Sequence, residues 1–137
     1  IMGRTDDVIN VAGHRLSTGE MEEVIADHDS VAECAVVGIK DDLKGQMPFA
    51  LVVLKNGVTT EEGTLQNELK LSIREKIGAI ASLKRVLLVE RLPKTRSGKI
   101  LRKVLRQMLD GEEPQVPSTI DDISILDELS RLFETMT

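Results

Sequence analysis

One lysine in this sequence is placed where a single positive charge could act on a phosphate or a carboxylate. Lys99 ends the stretch Leu-Pro-Lys-Thr-Arg-Ser-Gly-Lys. Ser97 and Gly98 permit a sharp backbone turn just before it, and a lysine ammonium is a compact charge on a flexible stem. A loop of the Gly-x-x-x-x-Gly-Lys-Ser/Thr type is excluded, because Pro93 replaces its first glycine and Ile100 follows the lysine.

A second candidate element is a short hairpin near the start of the chain. Two runs typical of short strands, Val8–Val11 and His14–Leu16, are joined by Ala12 and Gly13. A tight turn alone explains a glycine at this point, and a close approach of another molecule to the backbone also requires one. Both interpretations of Gly13 can hold together.

The elements that carry these two loops follow from hydrophobic spacing. Ser17 and Glu20 form a capping box at the start of a first helix. Runs of branched residues predict three strands, over 31–38, 49–54 and 85–90. Apolar residues at four-residue spacing predict two further helices, over 61–78 and 100–109. The polar segment 40–47 is predicted to connect the first two strands. The fold class is therefore α+β, with a small hairpin and a three-stranded sheet covered by helices.

Length and composition predict one main domain with a tail. The 137 residues, 41% of them hydrophobic, are enough for one ordinary core. We place the domain at 1–110, and a linker with a terminal amphipathic helix at 111–137. The sequence does not decide whether that helix packs on this domain, on a missing domain or on another subunit. Because the chain opens at Ile1 instead of a methionine, we expect it to begin in mid-sequence.

Charge and residue usage exclude several classes of function. The net charge of -5 argues against non-specific nucleic-acid binding, which requires many Lys and Arg side chains over phosphates. Phe49 and Phe133 are the only aromatic residues, so a base-stacking surface is not expected. No stretch approaches the roughly 18 apolar residues of a membrane span. The single cysteine, Cys34, lies in an apolar run and is expected to be a small buried residue in a reducing compartment.

Two motifs together resemble the C-terminal domain of adenylate-forming enzymes. The first is Gly-Arg-Thr-Asp-Asp running into Val-Ile-Asn-Val-Ala-Gly-His-Arg-Leu over residues 3–16, and the second is the stretch that ends at Lys99. The chain is most similar to AMP-forming acetyl- and propionyl-coenzyme A synthetases, over residues 3 to 109. The resemblance implies a two-step reaction. A carboxylate and ATP give an acyl-adenylate and pyrophosphate, and coenzyme A then displaces AMP.

The resemblance also implies roles for individual residues. Lys99 would be the catalytic lysine of the first step, and Asp6 the hinge about which this domain rotates between the steps. The other matching positions are Arg4 and Arg15 for ATP, Ala12, Gly13 and Arg74 for coenzyme A, and Ala26, His28 and Val31 for a magnesium or structural cation held mostly by main-chain oxygens.

The residues by themselves allow ordinary structural roles at the same positions. Asp6 could be a turn or capping residue, and lone arginines such as Arg4 and Arg15 are more often surface residues. Arg74 could pair with a neighbour on a solvated helix face. His28 could simply be a residue at a helix C-terminus. For Lys99 the ordinary role is a solvated lysine at a helix start, where the helix dipole disfavours a cation.

The resemblance implies a lid domain that is inactive alone and works with a larger N-terminal domain absent from this chain. ATP, coenzyme A and Mg²⁺ would be its cofactors, and acetate or propionate its substrate. A lysine acetyltransferase and deacetylase acting on Lys99 are possible partners, since acetylation removes the charge. Cytoplasm or mitochondrial matrix would suit the protein. Alternatives are a medium-chain acyl-coenzyme A ligase, a carrier-protein adenylation domain, or a non-catalytic ferredoxin-like binding module.

Overall fold

Five strands build one mixed sheet in the described part of the chain, with helices between and after them. The computed structural model describes residues 8–43, 45–58, 61–78 and 83–135. The elements in these ranges are β1 (Val8–Val11), β2 (His14–Ser17), α1 (Thr18–Ala26), β3 (Val31–Asp41), β4 (Gly45–Leu54), α2 (Glu62–Lys76), β5 (Arg85–Leu88), α3 (Arg102–Leu109) and α4 (Ser124–Glu134). The α+β fold class is confirmed.

The sheet is organised around β4. Its antiparallel partner β3 pairs with it from Val31 opposite Leu54 to Asp41 opposite Gly45. On the other edge β5 runs parallel to it, and the β1–β2 hairpin joins through the pairing of Val11 with Gly45. Among the described residues, the three predicted strands thus pair with one another through β4, and the hairpin extends the sheet to five strands.

The prediction of a connection over 40–47 is wrong. Main-chain pairing continues through Lys40 opposite Gln46 and stops only at Asp41 opposite Gly45. Polar residues are compatible with a ladder here because its hydrogen bonds come from the backbone and these side chains are not buried. The true turn is therefore much shorter than the polar segment.

Alternating side chains give the sheet two apolar faces. Helices α1 and α2 cover one face with residues that are 0% exposed, namely Met21, Ile25, Leu65, Leu69 and Ile73. Cys34 lies on this face, and its burial, followed by the nearby Glu22 carboxylate, raises the pKa of its thiol to about 12. The prediction that Cys34 is a small buried residue is confirmed.

The second face is covered by α3 and α4. Leu105 of α3 and Ile125 and Leu129 of α4 pack against sheet residues that include Phe49 and Leu87. The terminal helix, whose partner surface the sequence left open, therefore packs on the sheet of this same chain. The result is three layers, with helices on both sides of one sheet.

We predict that Gly38→Ala displaces the β1–β2 hairpin. A Cβ at this position of β3 would overlap the side chain of Ile9 in β1 and lie 3.1 Å from Nε2 of Gln46. Overpacking of this kind costs about 1–3 kcal/mol in the free energy of unfolding, which urea denaturation measures. The control is Gly63→Ala in α2, where a Cβ meets nothing within 4 Å and stability should rise by about 0.5–1 kcal/mol. Equal midpoints for the two variants would contradict the packing of Ile9 on Gly38.

Candidate functional site

The segment around Lys99 is a tight loop closed by its own main chain. We call residues 94–100 the lysine loop. Lys94 and Ile100 form an antiparallel bridge, the Thr95 N–H donates to the Lys99 carbonyl at 2.9 Å, and the Lys99 N–H donates to Oγ1 of Thr95 at 3.1 Å. Gly98 has a φ of 92°, a left-handed conformation that favours glycine. The turn predicted from Ser-Gly is therefore present.

The helix that follows begins later than the sequence predicts. Helix α3 starts at Arg102, whereas spacing placed its start at Ile100. Ile100 is instead paired with Lys94, and the Leu101 N–H donates to the Pro93 carbonyl at 2.8 Å. Lys99 thus belongs to the closing strand of the lysine loop and not to a helix terminus, so the argument from the helix dipole does not apply to it.

The ammonium of Lys99 is exposed at the edge of this loop. Among the described residues, none of the ion pairs involves it. Lys94, five residues earlier, behaves differently, because its Nζ lies 2.8 Å from Oε2 of Glu33 in β3. The loop is therefore fixed to the sheet through one lysine and presents the other to solvent.

A second ion pair fixes the chain where it leaves the lysine loop. Arg102 binds Glu22 of α1 through two hydrogen bonds, of 2.7 and 2.6 Å. Glu22 also accepts the N–H of Val36 in β3 at 2.8 Å. The two side chains are only 11% and 13% exposed. Sequence reasoning missed this pair, because its members are 80 residues apart and neither lies in a spacing pattern that points to the other.

The tail of the chain also contacts the lysine loop. Thr95 forms an antiparallel bridge with Ile120. The Arg96 N–H donates to the Thr119 carbonyl at 2.9 Å, and the Asp121 N–H donates to the Lys94 carbonyl at 2.8 Å. A short strand contributed by the tail therefore lies beside the loop, and no sequence signal indicated it.

The hairpin predicted near the N-terminus is present, with a two-residue turn. Ala12 and Gly13 both have positive φ, 51° and 85°, the pair of conformations typical of a type I′ turn. A Cβ at Gly13 would meet nothing within 4 Å in the described chain. Arg15 lies exposed on β2 of the same hairpin, opposite Asn10. The turn backbone is therefore open to another molecule.

The hairpin and the lysine loop project from opposite ends of the sheet. Val11, next to the hairpin turn, pairs with Gly45, the first residue of β4. Glu33, which binds Lys94, pairs with Val53 at the other end of β4. The stretch of β4 from Gly45 to Val53 extends about 26 Å at a rise of roughly 3.3 Å per residue. A small ligand therefore meets one of these elements at a time in a given orientation of the domain.

Within the described part of the chain, no ion pair or hydrogen bond joins the other candidate residues to these two elements. Arg74 is exposed in the last turn of α2. Ala26 ends α1 and Val31 begins β3. Arg4 and Asp6 lie outside the described residues, so their roles remain predictions.

His28 lies between α1 and β3 with both ring nitrogens engaged. Nδ1 accepts the Ser30 N–H at 3.1 Å, so Nε2 carries the proton and donates to Glu68 at 2.9 Å. The ring therefore fits a cation ligand poorly, and a site here would depend on carbonyl oxygens near Ala26 and Val31. The described part of the chain holds no group of three or more His, Cys, Asp or Glu residues suited to a metal, and no described helix has the length and apolarity needed to cross a bilayer.

Residues 20–99 match the model of the AMP-binding enzyme C-terminal domain. The chain belongs to this family. It is 53% identical over 134 residues to the Dictyostelium discoideum protein named acyl-CoA synthetase short-chain family member B, mitochondrial, covering 98% of this chain and 20% of that protein. It is also 53% identical over 126 residues to acetyl-coenzyme A synthetase 1 of Debaryomyces hansenii, covering 92% of this chain and 18% of that one.

A solved structure shares the fold. The Brucella canis acyl-CoA synthetase superposes with a TM-score of 0.70 at 37% identity, covering 77% of this chain and 19% of that chain. The resemblance inferred from the two motifs is thus confirmed. The chain spans about a fifth of the length of these relatives and corresponds to their C-terminal domain.

We predict that Arg102→Ala destabilises the domain by about 3–5 kcal/mol, because it leaves the Glu22 carboxylate buried without its guanidinium partner. Urea denaturation of the variant and of Lys103→Ala gives the comparison. Lys103 is the next residue of the same helix and is exposed, so its loss should change the free energy of unfolding by less than about 0.5 kcal/mol. Similar small losses in both variants would show that the Arg102–Glu22 pair does not anchor α3.

Proposed function

We propose that this chain is the mobile lid of an acyl-coenzyme A synthetase for short carboxylates, acetate or propionate. The complete enzyme would convert the carboxylate and ATP to acyl-AMP and pyrophosphate, and then transfer the acyl group to coenzyme A with release of AMP. The observation that carries this proposal is the exposed Lys99 ammonium on a loop whose other lysine, Lys94, is paired with Glu33. Membership of the AMP-binding enzyme family and the names of the relatives support it.

Lys99 would act in the first step. Negative charge accumulates between the substrate carboxylate and the α-phosphate as the new bond forms, and a fixed ammonium stabilises it. Preorganised electrostatics of this kind is worth about 3–4 kcal/mol in a transition state. The closed main chain of the lysine loop supports the role, because a fixed charge needs no reorganisation when the reaction occurs.

The hairpin would act in the second step. Gly13, with no Cβ, would let the pantetheine arm of coenzyme A pass close to the backbone, and Ala12 would supply a main-chain contact. Arg74 would meet the nucleotide part of coenzyme A, while Arg4 and Arg15 would bind ATP. Because the two loops lie at opposite ends of the sheet, the domain must rotate between the steps, and Asp6 is the proposed hinge.

The remaining parts of the proposal concern cofactors, regulation and compartment. Mg²⁺ would accompany ATP, held chiefly by groups outside this chain, and carbonyls near Ala26 and Val31 would be the donors of any further cation site. Acetylation of Lys99 would remove the charge needed in the first step, so a lysine acetyltransferase and deacetylase are proposed partners. The larger N-terminal domain is the obligatory partner, and the cytoplasm or the mitochondrial matrix the proposed compartment.

We predict that Lys99→Ala in the full-length protein separates the two steps. Carboxylate-dependent exchange between ATP and pyrophosphate should fall about 10²- to 10³-fold, because the transition state loses its fixed charge. Thioester formation from supplied acyl-adenylate should change by less than about threefold. Lys103→Ala, which removes an exposed lysine four residues away, should leave both rates unchanged. If exchange survives in Lys99→Ala, the proposed function of the lysine loop is wrong.

Gly13→Leu should produce the opposite pattern. The Cβ that the substitution adds meets nothing within 4 Å in the described chain, so a loss of thioester formation of about tenfold or more would arise from the obstructed approach of coenzyme A. Gly57→Leu is the control, since Gly57 has a similar φ of 81° and equally open surroundings but lies in a different turn. It imposes the same backbone strain, and both rates should stay near those of the parent. A matching loss in the two variants would mean that strain, and not coenzyme A, explains the effect.

A further inference from the structure

Isolated β-bridges join three short segments at the lysine loop, and the third segment comes from the tail. Residues 94–95 and 99–100 form the two strands of the loop itself, closed by the Lys94–Ile100 bridge. On the outer side of the first strand, residues 119–121 supply the Arg96–Thr119 and Asp121–Lys94 hydrogen bonds together with the Thr95–Ile120 bridge. We call residues 119–121 the bracing strand. It lies beyond residue 99, where the match to the family model ends.

The bracing strand is held in place by a buried side chain and by the turn that follows it. Ile120 is 8% exposed and belongs to the core beneath α3 and α4. Immediately after it, Asp122 begins the turn into α4, where its Oδ1 accepts the Ser124 N–H at 3.0 Å and the Ser124 hydroxyl at 2.6 Å. The strand therefore cannot shift without disturbing the packing of α4.

Arg91 connects the residues around the start of α4 to the segment that leads from β5 into the lysine loop. Its guanidinium lies 2.8 Å from Asp122, 2.8 Å from Glu128 and 3.3 Å from Ser124. The hydrogen bonds from Ser124, and then from Arg91, lower the pKa of Asp122 to about 2. Asp122 therefore stays ionised throughout the neutral range, and Arg91 keeps its partner wherever the enzyme would work.

The lysine loop is held by a side-chain ion pair on one side and by main-chain hydrogen bonds on the other. On the side of the sheet, Lys94 is held by an ion pair with Glu33. On the outer side, the amide of Arg96 donates to Thr119 and the carbonyl of Lys94 accepts from Asp121, and within the described ranges both partners belong to the bracing strand. Without that strand the tip at 96–98, which is exposed, would keep its internal hydrogen bonds but could tilt on the sheet. Lys99 would move with it.

We infer that the bracing strand positions the Lys99 ammonium for acyl-adenylate formation, and that Arg91 is a positioning residue which acts through this strand. The inference rests on the proposed function of Lys99 in the first step. Since a misplacement of about 1 Å can reduce the rate of a reaction up to about 10²-fold, loosening the strand should slow the first step and spare the second.

The sharpest test removes one main-chain donor from the bracing strand. Asp121→Pro deletes the N–H that bonds to Lys94, and Asp121→Ala keeps that N–H while removing the same exposed side chain. The Ile120 that precedes it is already paired as an extended residue, which suits a residue before proline. In the full-length protein, Asp121→Pro should lower the exchange of ATP with pyrophosphate about 10- to 100-fold, and Asp121→Ala should not.

Arg91→Ala tests the same strand by a side-chain route, with Arg131→Ala as its control. Arg131 is an exposed arginine of α4 that makes no ion pair among the described residues. Arg91→Ala should slow exchange, leave thioester formation from supplied acyl-adenylate within about threefold of the parent, and increase hydrogen exchange in a peptide spanning residues 94–99. Arg131→Ala should change none of these three measurements.

A double substitution shows whether Arg91 acts through Lys99. If it does, adding Arg91→Ala to Lys99→Ala should cost no further exchange activity, whereas independent structural effects would add. Three results would overturn the inference while the role of Lys99 stands. They are additive losses in the double variant, equal losses in both half-reactions, and exchange rates in Asp121→Pro and Arg91→Ala that equal those of their controls. Unimpaired exchange in Lys99→Ala alone would overturn the proposed function and this inference with it.

Discussion

The structure depends on the burial of β4 on both of its faces. Ala50 and Val52 face α1 and α2, while Phe49 and Leu51 face α3 and α4, and none of the four is more than 4% exposed. A strand in this position needs neighbours on both edges and helices on both sides. The antiparallel β3, the parallel β5 and helices α1 to α4 meet those requirements, so the other described elements are positioned relative to this one strand.

This constraint also separates the two candidate functional elements. Both β1 and β5 pair with the edge of β4 that lies away from β3. The first residue of β4 pairs with β1, and the middle of β4 pairs with β5. The hairpin is consequently attached at one end of the strand, while the chain leaves β5 at the other end and forms the lysine loop. In the proposed function this domain presents a different loop in each of two steps, and it would do so by rotating as a rigid body, because the distance between the loops is fixed by the length of β4.

The sequence predicted best what local physics determines. Helix α2 follows from Leu65, Leu69 and Ile73 at four-residue spacing, and the turn at Ala12–Gly13 from strand signals with a glycine between them. The errors have long-range causes. Spacing includes Ile100 in a helix, but its pairing with Lys94 removes it, and the polar 40–47 segment is paired because β3 continues beside it. The motif around Lys99 identified the candidate site, whereas Glu22, Glu33 and the tail, all distant in sequence, became visible only in the fold.

Charge pairing around the lysine loop separates two groups of cations: Lys99 and Arg96 are exposed and make no ion pair among the described residues, whereas Lys94, Arg91 and Arg102 are paired. Lys94, Arg91 and Arg102 each bind carboxylates of the same chain, and these contacts fix the loop, the tail and α3 respectively. If Lys99 also had a carboxylate partner, an anionic ligand would have to displace that carboxylate, and the loss of the ion pair would oppose binding. Leaving one ammonium exposed on a backbone closed by hydrogen bonds separates the two tasks. The three paired charges hold the geometry, and in the proposed function the exposed Lys99 ammonium is available to an anion whose negative charge grows during the reaction.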